Sequence, residues 1–135
     1  MRAVLPIAAI AALLASSVAS AETIRLKLTT TSARPVVGQP WRFTLSVRSS
    51  AGTPLRARAR LQLLLGTTVV GCWKDGAMAQ CSGTASGEWI SFRGKRTGIL
   101  RFPAQVVGVH LTFRATVQVQ GHTRKLRAPV TVQPA

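Results

Sequence analysis

Three features of the sequence predict an antiparallel β-sandwich of about seven to nine strands. Apolar and polar residues alternate over several short runs, turn residues interrupt those runs at fairly regular intervals, and no segment beyond the N-terminus has helical periodicity. A closed barrel of similar strand number is the alternative. Pro129, near the end of the chain, favours open sheets, because proline cannot donate to a ladder and is confined to edge strands.

The clearest strand is Arg56–Leu65. Apolar residues stand at 57, 59, 61, 63 and 65, and Arg56, Arg58, Arg60 and Gln62 stand between them. A period of two puts one set into a core and the other into water. The wet face then carries three arginines in a row.

The N-terminus is read separately. Met1-Arg2 is a short positive start, Ala3–Ala15 is nearly all apolar, and Ala19-Ser20-Ala21 closes the segment with small residues. This is the layout of a secretory signal peptide, with cleavage expected after Ala21. The apolar run is short for a membrane span, which needs about 20 residues. Retention as an anchor is the alternative. The expected organisation is a signal segment at 1–21 and one domain at 22–135. Removing the signal leaves 114 residues and a net charge of +14, since Arg2 goes with it. No transmembrane segment is expected in that mature chain.

In chain order, Thr23–Thr29 alternates and forms a first strand. Thr31–Pro40 holds Pro35, Gly38 and Pro40 and reads as a turn or crossing. Trp41–Arg48 alternates with Trp41, Phe43, Leu45 and Val47 inward, and Ser49–Pro54 is a loop. After Arg56–Leu65, Gly66 breaks the chain and Thr67–Val70 is a short β-branched partner. Gly71–Gly87 is the least regular region. Glu88–Arg93 is a short strand, Gly94–Gly98 a basic turn, and Ile99–Phe102 a strand stub stopped by Pro103. The longest strand is Val109–Gln120, with Val109, Leu111, Phe113, Ala115, Val117 and Val119 inward. Gly121-His122 makes a tight turn, and Thr123–Val132 returns as the last strand.

The segment Pro35-Val36-Val37-Gly38-Gln39-Pro40-Trp41-Arg42-Phe43-Thr44-Leu45-Ser46-Val47, then Gly52-Thr53-Pro54-Leu55 and Ala57 with Ala59-Arg60-Leu61, resembles bacterial secreted immunoglobulin-like domains. The resemblance extends to the Gly108–Val119 strand and the final hairpin. It implies an immunoglobulin-like sandwich in which 56–65 pairs with 109–120. It implies little about activity, because that fold carries many unrelated functions. The long-range disulfide of antibody domains is absent, since the two cysteines stand nine positions apart.

Cys72 and Cys81 are the only cysteines. In an exported chain such a pair is expected to be a disulfide, closing a short loop and stabilising the fold by about 2–3 kcal/mol. Direct opposition of the two in a hairpin requires a four-residue loop, Asp75–Met78. A turn centred on Asp75-Gly76 would instead set Cys72 against Ala79. A redox or metal role is disfavoured by the spacing and by the shortage of further ligands. Trp73 is assigned to core packing.

The chain has three carboxylates, Glu22, Asp75 and Glu88, and two histidines, His110 and His122. Nothing in their spacing suggests a paired acid and base, a metal centre or a supported nucleophile. No catalytic residue, cofactor or metal ligand is therefore assigned, and the expectation is a non-catalytic protein.

What remains is charge. Eighteen Lys and Arg stand against three acids, for a net charge of +15. They are spread along the chain, which makes a basic domain surface and not a basic tail. If 56–65 pairs with 109–120, Arg114, Thr112 and Thr116 share a face with Arg56, Arg58 and Arg60. Like charges on adjacent strands repel, so either the face is simply solvated or an anionic partner compensates it. The reading adopted is an exported, non-catalytic interaction or structural module of the cell envelope or extracellular space. The alternative is a binder of anionic polymer through Arg56, Arg58, Arg60 and Arg114: an envelope polyanion, an anionic lipid surface or nucleic acid. Nucleic acid is least favoured, because the chain has no tyrosine and Trp41, Phe43 and Phe113 belong to the core.

Overall fold

The computed structural model describes residues 23–74, 76–81 and 87–135. The expected signal segment, and with it Glu22 and Asp75, lies outside the described residues. Nine strands follow one another: β1 (Ile24–Thr30), β2 (Trp41–Ser49), β3 (Arg56–Leu65), β4 (Thr68–Lys74), β5 (Ala77–Gln80), β6 (Ile90–Arg93), β7 (Lys95–Leu100), β8 (His110–Val119) and β9 (His122–Thr131). They form two antiparallel sheets. The smaller has the order β1-β2-β7. The larger has the order β5-β4-β3-β8-β9, with β6 pairing β3 as well.

The strand that predicted the fold is its centre. β3 pairs β8 along one side, from Arg58↔Gln118 to Leu64↔Thr112. On its other side, β6 takes the first half (Arg56↔Arg93 to Ala59↔Ile90) and β4 takes the second. β9 pairs only β8, so Pro129 does sit on an edge strand, opposite Thr112.

The alternating residues meet between the sheets. Trp41, Phe43, Leu45 and Val47 of β2 face Leu61, Trp73, Phe113, Ala115 and Val117 of the larger sheet, all buried. Trp41 packs edge-on against Phe102 and Phe113, and Phe43 edge-on against Trp73. Each such side chain contributes roughly 1.5–3 kcal/mol by leaving water. The Trp41 indole N–H donates to the Ser32 carbonyl at 2.7 Å, so its polar atom is satisfied as well.

Five details differ from the sequence expectation. Leu65, expected inward, is exposed and Leu64 is buried instead, where the β3–β4 register shifts between Leu63 and Leu64. The basic turn expected at 94–98 is part of a strand: β7 runs Lys95–Leu100 and pairs β2 in register, Ser46↔Lys95 to Trp41↔Leu100. The bend is at Gly94 alone, with φ +74, and a Cβ there would run into Pro54. The chain changes sheets at this point. Gly98 looked like a turn residue but is a packing residue, since a Cβ would overlap the Phe43 ring.

β4 is longer than Thr67–Val70 and continues through Trp73 to Lys74. Its hairpin with β5 pairs Lys74↔Ala77 and Cys72↔Ala79, so Cys72 stands opposite Ala79 and not opposite Cys81. The disulfide forms nonetheless. Cys81 lies just past the end of β5, on the same side as Ala79, and bonds Cys72 diagonally with a Cα–Cα distance of 5.8 Å. Finally, the last tight turn is Gln120-Gly121, both with positive φ, and His122 opens β9.

Candidate anion-binding face

The outward residues of β3, β6, β8 and β9 make one surface. Register fixes which residues share it: Arg56 beside Arg93, Arg58 between Ser91 and Gln118, Arg60 beside Thr116, Gln62 beside Arg114. Across β8, Arg114 stands beside Arg127, and Thr116 beside Lys125. Thus Arg56, Arg58, Arg60 and Arg114 do lie on one face, and Arg93, Lys125 and Arg127 join them. Sequence reasoning missed Arg93 because its strand was not assigned as a neighbour of β3, and missed Lys125 and Arg127 because the final hairpin was read without a register that set their side.

The guanidiniums are held by neutral partners. Arg58 Nε donates to Gln118 Oε1 at 2.7 Å, and Arg114 Nη2 donates to Gln62 Oε1 at 2.6 Å. Gln62 and Thr116 point outward yet are buried at 3% and 4% exposure, so the arginine side chains lie across the sheet instead of standing off it. The Nε atoms of Arg60 and Arg114 are buried, with no hydrogen-bond partner among the described residues. Burial first, then the charges of Arg127 and Arg60, hold the Arg114 guanidinium below its ordinary pKa.

Trp89 is the residue the sequence reading left unplaced. Its ring lies over two guanidiniums, 4.6 Å from Arg58 Cζ and 4.7 Å from Arg60 Cζ. Contacts of this kind contribute about 0.5–1 kcal/mol each at exposed sites. The signal was available, since Ile90 and Phe92 are the inward residues of β6 and Trp89 therefore has the outward parity. The disulfide belongs to the same region. Cys72 lies opposite Gln62 on this face, and a Cβ at Gly87 would press on Cys72 and on the Trp73 backbone. The Glu88 N–H donates to the Trp73 carbonyl at 3.2 Å, which fixes the chain one residue before Trp89.

Glu88 is the one side-chain carboxylate among the described residues. It lines a depression with Cys72, Lys74 and Cys81. The opposite face of the sandwich is basic too. Arg25 pairs with Arg48, and Lys27, Arg42 and Lys95 share their side of the smaller sheet. There Arg48 donates to the Gly52 carbonyl of its own loop at 3.2 Å. The two faces differ in organisation more than in sign: the larger sheet combines glutamine-tied guanidiniums with a stacked tryptophan, whereas a buried arginine Nε occurs in both sheets, at Arg96 in the smaller one.

For other chemistry the geometry offers little. His110 Nδ1 lies 2.9 Å from Thr131 Oγ1, and both cysteines are in the disulfide. Among the described residues no group of three or more His, Cys, Asp or Glu could hold a metal ion, and no helix is long and apolar enough to cross a membrane.

No protein-family model and no curated protein sequence matches the chain. Among solved structures, it is similar to the crystal structure of Spo0M, a sporulation control protein from Bacillus subtilis, with a TM-score of 0.44 and 12% sequence identity. The similarity covers 82% of this chain and 49% of that one, so the chain spans about half the length of that protein.

Proposed function

We propose that this protein is an exported, non-catalytic module of the immunoglobulin-like kind that binds an anionic polymer of the cell envelope through the outer face of its larger sheet. The observation that carries the reading is the arrangement of that face. Seven cations, Arg56, Arg58, Arg60, Arg93, Arg114, Lys125 and Arg127, share it. The guanidiniums of Arg58, Arg60 and Arg114 are oriented by the neutral side chains of Gln118, Trp89 and Gln62. Like charges fixed close together cost stability. A polyanion recovers that cost and gains bidentate contacts with preset geometry.

The exported setting is supported by the signal-like N-terminal sequence and by the disulfide, which suits an oxidising compartment. Among anionic partners, a flexible envelope polymer is favoured over nucleic acid. A single-strand binder stacks several bases on aromatic residues, and Trp89 is the one aromatic that the described residues place on this face.

The test is sedimentation of the purified protein with envelope material across a salt series. Binding should fall linearly in log–log coordinates with ionic strength, with a slope set by the number of cations engaged. Salt-independent sedimentation would point to a protein partner and a merely solvated basic face.

A further inference from the structure

The ladder between β3 and β8 stops at Arg58↔Gln118, while β3 continues to Arg56 beside β6. Beyond that point β3 and the β8–β9 turn part, and an open groove lies between them. Arg56, Arg58 and Arg93 line one side, and Gln118, His122 and Thr123 the other. We infer that this groove seats a phosphomonoester group carried by the polymer, an inference that rests on the anion-binding reading of the face.

The argument is one of charge and shape. Arg56 and Arg93 are directly opposed across two strands, and Arg58 follows two residues on along the same face. Direct cross-strand neighbours are about 5 Å apart at Cβ and diagonal ones about 7 Å. Three arginines thus stand close enough on the groove wall for their long side chains to reach one anion together. A carboxylate is planar and is satisfied by one guanidinium fork, and a sulfate ester spreads a single charge over its oxygens. A phosphomonoester carries about 1.5–2 negative charges at neutral pH on three acceptor oxygens pointing in different directions. It is the common anionic group that uses three forks at once. Arg58 is preset for this role, since its Nε is taken by Gln118 and its face by Trp89, leaving the two Nη groups for a ligand. Ser91, at the position opposite Arg58, and the imidazole of His122 add hydrogen-bonding groups at the rim. The like-charged pair Arg25↔Arg48 on the smaller sheet lacks this setting, because Arg48 is turned to the Gly52 carbonyl.

Three probes that share one sugar separate the possibilities: glucose 6-phosphate, glucose 6-sulfate and glucuronate, titrated into the purified protein at matched ionic strength and followed by NMR. Glucose 6-phosphate should bind about ten-fold more tightly than either of the others, with shifts centred on Arg56, Arg93 and His122. Arg56→Gln and Arg93→Gln should each weaken it about ten-fold, the loss expected for one charge-assisted hydrogen bond. Arg25→Gln, which removes the same charge elsewhere, should change it by less than about two-fold. Equal binding of the three sugars, or an equal loss in the Arg25 variant, overturns the inference. Retention of the same samples on heparin keeps the two readings apart. If heparin still holds the protein while the sugars bind alike, only the groove assignment fails. If heparin does not hold it either, the anion-binding face itself is wrong.

Discussion

At the scale of single residues, the face is organised by what lies between its charges. Trp89 covers Arg58 and Arg60, and Gln62 and Gln118 hold the forks of Arg114 and Arg58. Trp89→Ala removes both ring contacts and should lower unfolding free energy by about 1–2 kcal/mol, measured by urea denaturation. It should also weaken polyanion binding, because Arg58 and Arg60 then sample more rotamers before they engage. An unchanged urea midpoint would mean the ring contributes nothing to their placement. Arg114 can be tested from the other direction. Its charge is disfavoured by burial and by Arg127 and Arg60, so its folded pKa is below its unfolded one. A base with a depressed pKa binds fewer protons folded than unfolded, so its charged form detracts from stability at every pH below that pKa and the penalty lifts only as pH rises through it. A bound polyanion should reverse this, and addition of heparin should raise the melting temperature of the wild type more than that of Arg114→Gln.

At the scale of elements, alternation in the sequence carried most of the information. β1, β2, β3 and β8 are each legible because one face is largely apolar at every second residue, and a one-residue slip would expose it. β7 was not legible. Its sequence, Lys95-Arg96-Thr97-Gly98, has two cations and a glycine where a strand would show apolar alternation. The missing inward side chain at 98 is the space into which the Phe43 ring fits. Gly98→Ala should therefore destabilise by about 1–3 kcal/mol through overpacking, read as a drop in melting temperature, whereas a surface strand glycine would gain from the change. The disulfide was legible as a pair but not in its geometry. Direct opposition is one of two ways to bridge neighbouring strands, and the diagonal route was open because β5 ends at Gln80. Reduction, or Cys72→Ser with Cys81→Ser, should cost about 2–3 kcal/mol in urea unfolding. It should also loosen the chain that leads to Trp89 and so weaken binding at the arginine face.

At the scale of the whole molecule, charge dominates. A net charge of +15 on 135 residues, with basic groups on both outer faces, makes the folded state repel itself. Added sodium chloride should raise the melting temperature between low salt and about 0.2 M, as the screening length shortens to about 7 Å and repulsion beyond neighbouring strands is damped. The existence of a basic face was legible from Arg56, Arg58 and Arg60 alone. Its extent was not, because Arg93, Lys125 and Arg127 reach it only through the pairings of β6 with β3 and of β9 with β8. Nor could the sequence separate an organised basic face from a diffuse one, since that difference lies in Gln62, Gln118 and Trp89.

The central claim is that the larger sheet, and not the bulk charge, holds the anion. The most direct measurement is the elution of two triple variants from heparin in a salt gradient. Arg56/Arg58/Arg60→Ser strips the larger sheet, and Arg25/Lys27/Arg42→Ser strips the smaller one, with the same loss of charge. The account predicts much earlier elution of the first and only a modest shift of the second. Equal shifts, or a larger shift for the second variant, would contradict it.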